Sequence, residues 1–400
     1  MLSHVTHVTH LTHLSHPSHV VRACALLIVA TTCLVAESAS VPPVTAAAVD
    51  GLIAQGQDWL LAQQDPSGSF GKADAKMALG ITALVTAALT QDPSLPSSDA
   101  RLAKAIAYLR AHQRPDGGFY LPEEGLAVYG TAMALTALVQ AQAADPATLA
   151  KAQAFLRAAQ VSDPASPSAG GIGYGGPTSP THADLSNTHM ALRALRLSGV
   201  PASDPVIQKA IPFLEHCQEL SAVNHLPWVD MSPASAGGGV YNPDPQPRHN
   251  PADPTAAPIP PAKPSAYGSM TFALYDGYQQ AGVAPADPRA TQALAWVASH
   301  YTITENPGRA AGKNLDGLYY YYWMMAETLT SAGQTSITLP SGQRRDWRAD
   351  ILSELTTREH LGTDGTGAYW INGAKMWSET NPLIVTSYVV QTLKCLRHGL

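Results

Sequence analysis

Residues 108–120, YLRAHQRPDGGFY, read as the last turns of a helix, then a Pro-Asp-Gly-Gly turn, then an aromatic. The same order stands earlier at 59–71, WLLAQQDPSGSFG. It returns loosely as Phe155 to Gln160 followed by GGIGYGG, and as Phe213 to Gln218 followed by GGGVY. A helix that stops at a Gly-rich aromatic turn, again and again, marks a repeat architecture in which each unit buries its apolar face against its neighbours.

The segments flanking these turns fall into pairs. The first members, 49–63, 99–113, 146–160, 205–218, 288–300 and 345–358, are amphipathic. In 99–113 the apolar stripe is Leu102, Ile106 and Leu109, at helical spacing. Asp145-Pro146, Asp204-Pro205 and Asp287-Pro288 each set an N-cap acceptor before a proline that has no amide to orphan. Trp59, Tyr108, Phe155, Phe213 and Trp296 mark the ends of the first five. The second members, 74–90, 125–143, 184–198, 266–281, 316–331 and 382–398, are apolar or small almost all round, as in ALGITALVTAAL at 78–89. A helix without a broad polar face is buried on most sides. Several end at a glycine: Gly199, Gly282, Gly333, Gly399. The pattern predicts an all-α fold, an α6/α6 toroid of six outer–inner helix pairs over 48–400, with the Gly-rich turns at one end.

Two of the turns are long. Residues 227–264 hold eleven prolines and read as a loop insertion that covers the end of the fold. In 360–381, Tyr369-Trp370-Ile371 and Ala374-Lys375-Met376 flank Asn372-Gly373, a strong hairpin signal. One small β-hairpin is expected there, with Trp370 and Trp377 on the same face.

The N-terminus reads as a separate device. Ala23 to Ala36 is an apolar run behind Arg22, of signal-peptide length, with cleavage expected after Ser38. Residues 1–38 are therefore a His-rich extension and signal peptide, 39–47 a flexible segment, and the chain is expected to be exported. Cys33 follows Ala-Thr-Thr, a poor lipoprotein signal. Histidines 4, 7, 10, 13, 16 and 19 form a tract read as an extension or disposable leader. Cys217 and Cys395 are read as buried thiols. Net charge is −6 with 24 Lys and Arg and no dense basic run, which argues against nucleic acid as a partner.

The turns QQDPSGSFG (63–71) and HQRPDGGF (112–119) resemble the repeats of protein prenyltransferase β subunits and squalene/oxidosqualene cyclases, and ADLSNTHMALRAL (183–195) looks like an inner-helix opening in that family. The resemblance runs over about residues 48 to 398, and implies a single-barrel, bacterial member with an apolar central cavity and isoprenoid ligands. The family's Asp-x-Asp-Asp acid box is absent; the acids nearest to one, Asp74, Asp184 and Asp316, stand alone. Glu215-His216-Cys217 is the nearest approach to a zinc set and falls at the end of an outer helix. No cofactor and no metal site are expected.

Candidate site residues follow. Asp184 and His189 open an inner helix and read as an acid and its partner at the cavity mouth, or else as an N-cap and a core histidine. Tyr320 and Trp323, within LYYYYWMM at 318–325, read as an aromatic wall or as core packing. Glu327 reads as the one acid in the body of an inner helix, and so as the first catalytic candidate. Trp370, Trp377, Glu379 and Asn381 form a ligand-binding edge, or the tryptophans merely hold the hairpin. The function expected is an exported, monomeric, cyclase-like toroid that takes an apolar or isoprenoid-type ligand. The alternatives are a non-catalytic peptide- or glycan-binding toroid and an α6/α6 polysaccharide-active enzyme, whose ligand would be an extended polymer.

Overall fold

The computed structural model describes residues 44–71, 77–90, 95–96, 98–178, 182–245, 262–357, 361–398 and 400. The His-rich tract, the signal-peptide segment, Asp74, residues 246–261 and Gly399 lie outside these. Among the described residues the protein is mainly helical. The outer helices are α1 (Ala46–Ala62), α3 (Ala100–Ala111), α5 (Pro146–Ala158), α7 (Pro205–Gln208) with α8 (Ala210–His216), α10 (Pro288–Ser299) and α12 (Trp347–Leu355). The inner ones are α2 (Ala78–Leu89), α4 (Ala127–Gln140), α6 (Leu185–Leu197), α9 (Gly268–Gln280), α11 (Leu318–Ser331) and α13 (Pro382–Arg397). The span 205–218 breaks at Lys209 because Pro212 has no amide for the carbonyl of Gln208.

Asp145, Asp204 and Asp287 cap their helices as the Asp-Pro signal predicts, and Asp99 and Asp346 do the same without a proline. Helix α2 is buried at every position except Gly80. Its neighbours follow in order: α2 packs on α4, α4 on α6, α6 on α9, α9 on α11, α11 on α13, and α13 lies against α2. Helix α1 packs on α13 more closely than on α2, α3 more closely on α2 than on α4, and α10 on α9. These outer helices thus lean on the inner helix before them, although sequence order pairs each with the one after.

The repeated turn explains that displacement. Gln64, Gln113, Gln160 and Gln218 end four outer helices, and each side-chain amide donates twice. One bond goes to the first glycine of its own turn, at the carbonyls of Gly68, Gly117, Gly170 and Gly237. The other goes to the first turn of the next outer helix, at Arg101, Thr148, Val206 and Arg289. That glycine has φ of +82° to +94° and presses on the backbone three residues further along, at Lys104, Lys151, Lys209 and Gln292. The second glycine, Gly118, Gly171 or Gly238, lies flat on the aromatic four residues beyond, Phe155, Phe213 or Trp296. Each turn therefore grips the next outer helix at three fixed points. In the first repeat Ser69 replaces the second glycine, and Tyr108 is left half-buried, its ring tilted against His112 with centroids 4.2 Å apart.

The hairpin expected around Asn372-Gly373 is displaced. Strand β3 (Leu361–Thr363) pairs with β4 (Ala368–Trp370), so the turn is built at Asp364–Gly367. Its Gly367 sits on the carbonyl of Gln55, and Asp364 accepts from Trp59 Nε1 at 2.8 Å, which docks this last turn on α1. A further short hairpin joins β1 (Ile337–Thr338) and β2 (Arg344–Arg345); these two strands precede β3 in the chain. Trp370 and Trp377 do not share a face: Trp370 is fully buried, whereas Trp377 is 41% exposed. Residues 227–245 are not a detached cover. Val240 is fully buried, Trp228 Nε1 bonds the Pro243 carbonyl at 2.9 Å, and Gly237–Gly239 is the fourth repeat turn. The two cysteines among the described residues are free; Cys217 is buried and Cys395 half-buried.

Candidate functional site

The inner helices are held in rotation by one residue each. Thr82, Thr131, Thr188, Thr271 and Thr386 accept the backbone N–H of Phe70, Phe119, Ile172, Gly239 and Trp370 in the adjacent turn, at 2.8–3.1 Å. Two residues earlier on a helix is 200° away, nearly the opposite face. The residues there are Gly80, Tyr129, Ser186, Ser269 and Ile384, and all five line a single cavity at the N-terminal ends of the inner helices. Tyr320 takes that place on α11.

The cavity is about 230 Å³. Its wall is aromatic and apolar: Tyr120, Tyr129, Tyr174, Tyr241, Tyr267, Tyr320, Tyr388 and Trp377, with Met77, Ile81, Leu84, Met133 and Met270. Tyr320 meets Tyr388 edge-on at 5.8 Å and reaches Ser186 Oγ across the cavity at 3.3 Å. Trp377 hangs at the mouth, stacked on Tyr267 and seated on Gly317. Its φ of +53°, followed by +60° at Ser378, is left-handed backbone that costs roughly 1–3 kcal/mol per residue and tends to mark ligand clamps.

Two carboxyls line this wall. Glu379 is fully buried and caps α11 from outside it, accepting Tyr320 N at 2.8 Å and Asn372 Nδ2 at 2.6 Å. Burial drives its pKa up to about 7, against the pull of those donors. Glu124 is half-buried, accepts Met77 N at 2.5 Å, and is raised by burial and by Glu123. Asp184 stands behind the wall as the N-cap of α6, bonded to Asn187 N at 2.9 Å, and burial raises it to about 6. Glu219, at the root of the fourth turn, is raised by burial to about 7. All four bind protons more tightly folded than unfolded, so their stabilising effect is complete at low pH and is lost as pH rises; for Asp184, Glu219 and Glu379 the loss runs up through about 6 to 7. Melting temperature is therefore expected to fall between pH 5 and pH 8. A curve rising over that interval would contradict these environments; Asp99 and Asp287, held at about 2 by their arginines, act only at lower pH.

Below the cavity the helices present a polar layer. Seven residues after the cavity-facing position come Thr136, Arg193, Asp276, Glu327 and Gln391, on the same stripe because 700° is nearly two turns. Arg193 pairs with Glu327 at 2.7 Å, and its guanidinium lies 5.3 Å from the centroid of Trp323. His189 Nε2 meets Asp276 Oδ2 at 2.6 Å, fully buried, while its Nδ1 has no partner among the described residues. Burial opposes the charge on Asp276, but His189 and Arg193 outweigh it and hold the carboxyl below its usual range.

This layer corrects the leading candidate. Glu327 is not the one acid inside an inner helix, since Asp276 is another, and it faces an arginine and Trp323 Nε1 (3.1 Å) rather than the cavity. It is an ion-pair residue. Glu327→Gln keeps the shape and one acceptor oxygen, for either Trp323 Nε1 or Arg193, and removes the charge. With the carboxylate about a quarter exposed, a loss of about 1–3 kcal/mol is expected in urea unfolding; no loss would return Glu327 to the list of chemical groups.

The remaining candidates divide. Tyr320, Trp377 and Glu379 line the cavity. Trp323 is buried behind Tyr388, stacked on it at 5.1 Å, and does not line the cavity. Trp370 is core, donating to the Leu355 carbonyl at 2.8 Å. Asn381 is the N-cap of α13, accepting Leu383 N at 3.0 Å. Asp184 caps α6, and His189 sits one level below the cavity. Tyr321 and Tyr322 turn outward and donate to the carbonyls of Thr302 and Ile303. Sequence reasoning missed Glu124, Tyr129, Tyr241, Tyr267 and Tyr388; a signal was available for Tyr129, which stands two residues before the anchor Thr131, but not for the other four. Among the described residues no cluster of three His, Cys, Asp or Glu is placed to hold a metal ion, and no helix is long and apolar enough to cross a membrane.

Solved structures place this fold. It is similar to the type II terpene cyclase MstE from Scytonema, seen as one variant with merosterolic acid A as product, at TM-score 0.52 and 13% identity. That match covers 89% of this chain and 99% of the other. A second MstE variant without ligand matches at TM-score 0.50 and 14% identity, with the same coverage. A third, with geranylgeranyl dihydroxybenzoate as substrate, matches at TM-score 0.50 and 13% identity over 88% and 98% of the two chains. The fold is thus terpenoid-cyclase-like. No protein-family model matches the sequence, and no curated protein matches it.

Proposed function

We propose that this chain is a closed α6/α6 toroid of six helix pairs that receives an isoprenoid-type apolar ligand in the cavity at its turn end. The ring reading rests on the packing order that returns from α13 to α2 and on the docking of the last turn on α1. The ligand reading rests on one observation above others: eight aromatic rings surround a cavity, and the polar layer of Arg193, Asp276 and Glu327 lies about two turns deeper, outside its lining. Such a wall favours an extended apolar chain by burial and by ring contact. MstE binds geranylgeranyl dihydroxybenzoate, and that supports the same ligand class here. Tyr320, Tyr388 and Trp377 are the proposed contacts. Export through the segment before residue 39 belongs to the same proposal.

Titration with farnesol and with geranylgeraniol tests it. Saturable quenching of tryptophan fluorescence at one ligand per chain, with a raised melting temperature, is expected. If neither alcohol changes either signal, the isoprenoid reading fails.

A further inference from the structure

Among the described residues both charged groups that line the cavity are carboxylic acids, and no lysine, arginine or histidine lines it. Among the described residues neither Glu379 nor Glu124 forms an ion pair with a basic group. What they accept comes from neutral donors: the amides of Tyr319, Tyr320 and Met77 and the side chain of Asn372. Three arginines come near the wall, and none forms an ion pair with either acid among the described residues; Arg114 lies 4.9 Å from the centroid of Tyr120, on the ring face. Arg309 touches the rings of Tyr267 and Trp377 at 4.7 and 4.8 Å, but pairs with Asp316. Arg193 lies under Trp323 and pairs with Glu327.

A carboxylate withdrawn from water without a counter-charge is costly, and a cation supplied from outside relieves that cost. Aromatic faces attract cations as well, most strongly where water is excluded. A phosphate-bearing ligand meets the opposite conditions in the same place. Resting on the isoprenoid reading above, we infer that the cavity selects an apolar ligand carrying a positively charged amine, and rejects one carrying a diphosphate. Glu379 is the inner partner of the ammonium. Glu124 is the outer one, joined to the same wall through Met77, whose sulfur lies 3.8 Å from Ser378 Oγ, next to Glu379.

Three probes with one chain separate this from the parent reading: farnesylamine, farnesol and farnesyl diphosphate, each titrated calorimetrically at pH 8. The amine is expected to bind at least about tenfold more tightly than the alcohol, and the diphosphate not to bind. Glu124→Gln and Glu379→Gln are each expected to bring the amine down to the level of the alcohol while farnesol binding is kept. Glu124 accepts a single amide at the mouth, so Glu124→Gln keeps the test open if Glu379→Gln, which also caps α11, fails to fold. Equal binding of amine and alcohol, a tight diphosphate, or an amine preference that survives in every folded variant overturns the charge selection and leaves the isoprenoid reading intact. Failure of all three probes removes both.

Discussion

Gly170→Ala is expected to be among the most damaging single-methyl changes in this protein, with a loss of about 2–5 kcal/mol in urea unfolding. Two costs add. The residue has φ +82°, where an L side chain loses about 1–2 kcal/mol. Its new Cβ would also stand 1.8 Å from the Lys209 carbonyl oxygen, so α7 and α8 must shift or the third turn must open. Overpacking of that kind adds about 1–3 kcal/mol. Gly199 supplies the control: φ is +96°, but nothing lies within 4 Å of the new methyl, so Gly199→Ala should lose the conformational part alone. Equal losses at the two sites would mean that the turns do not grip the next helix as described.

The second large effect runs in the opposite direction for stability. Gly80 is the one cavity-facing anchor position without a side chain, and a Cβ there meets nothing within 4 Å. Gly80→Phe should therefore place a ring in the cavity without a clash. Replacing glycine inside a helix gains about 0.5 kcal/mol from propensity alone, and the buried ring adds to it. Farnesol binding should weaken at least 100-fold, about 2.7 kcal/mol. A folded Gly80→Phe protein that binds farnesol as well as the parent would place the ligand elsewhere on the molecule.

Much of this was legible in the residues. The Gly-Gly turns require glycine because one is left-handed and the other lies against an aromatic ring, so their spacing announces the repeat wherever it stands. Asp-Pro dipeptides start helices by local chemistry. Apolar runs such as 78–89 can be stable only where no face meets water. Even the face that five of the six inner helices turn to the cavity was written down, in the threonine that bonds the preceding turn, although its meaning depends on knowing what that hydroxyl accepts.

Other features belong to the assembled protein. Arg193 and Glu327 meet from two inner helices that do not follow one another, and His189 finds Asp276 87 residues away. No local pattern distinguishes Glu327 beside an arginine from Glu327 in a ligand chamber; helix rotation decides it, and rotation is set by packing on neighbours far off in sequence. Asn372-Gly373 carries a hairpin signal, yet Thr386 binds the amide of Trp370 and Glu379 takes the side chain of Asn372, so the strands pair one segment earlier. Sequence by itself determined the repeat, the helices and their buried faces, because those follow from local backbone chemistry and periodicity. Tertiary structure alone decided which carboxyls stand unpaired in the cavity, because a charge is paired or stranded only by what the rest of the fold brings to it.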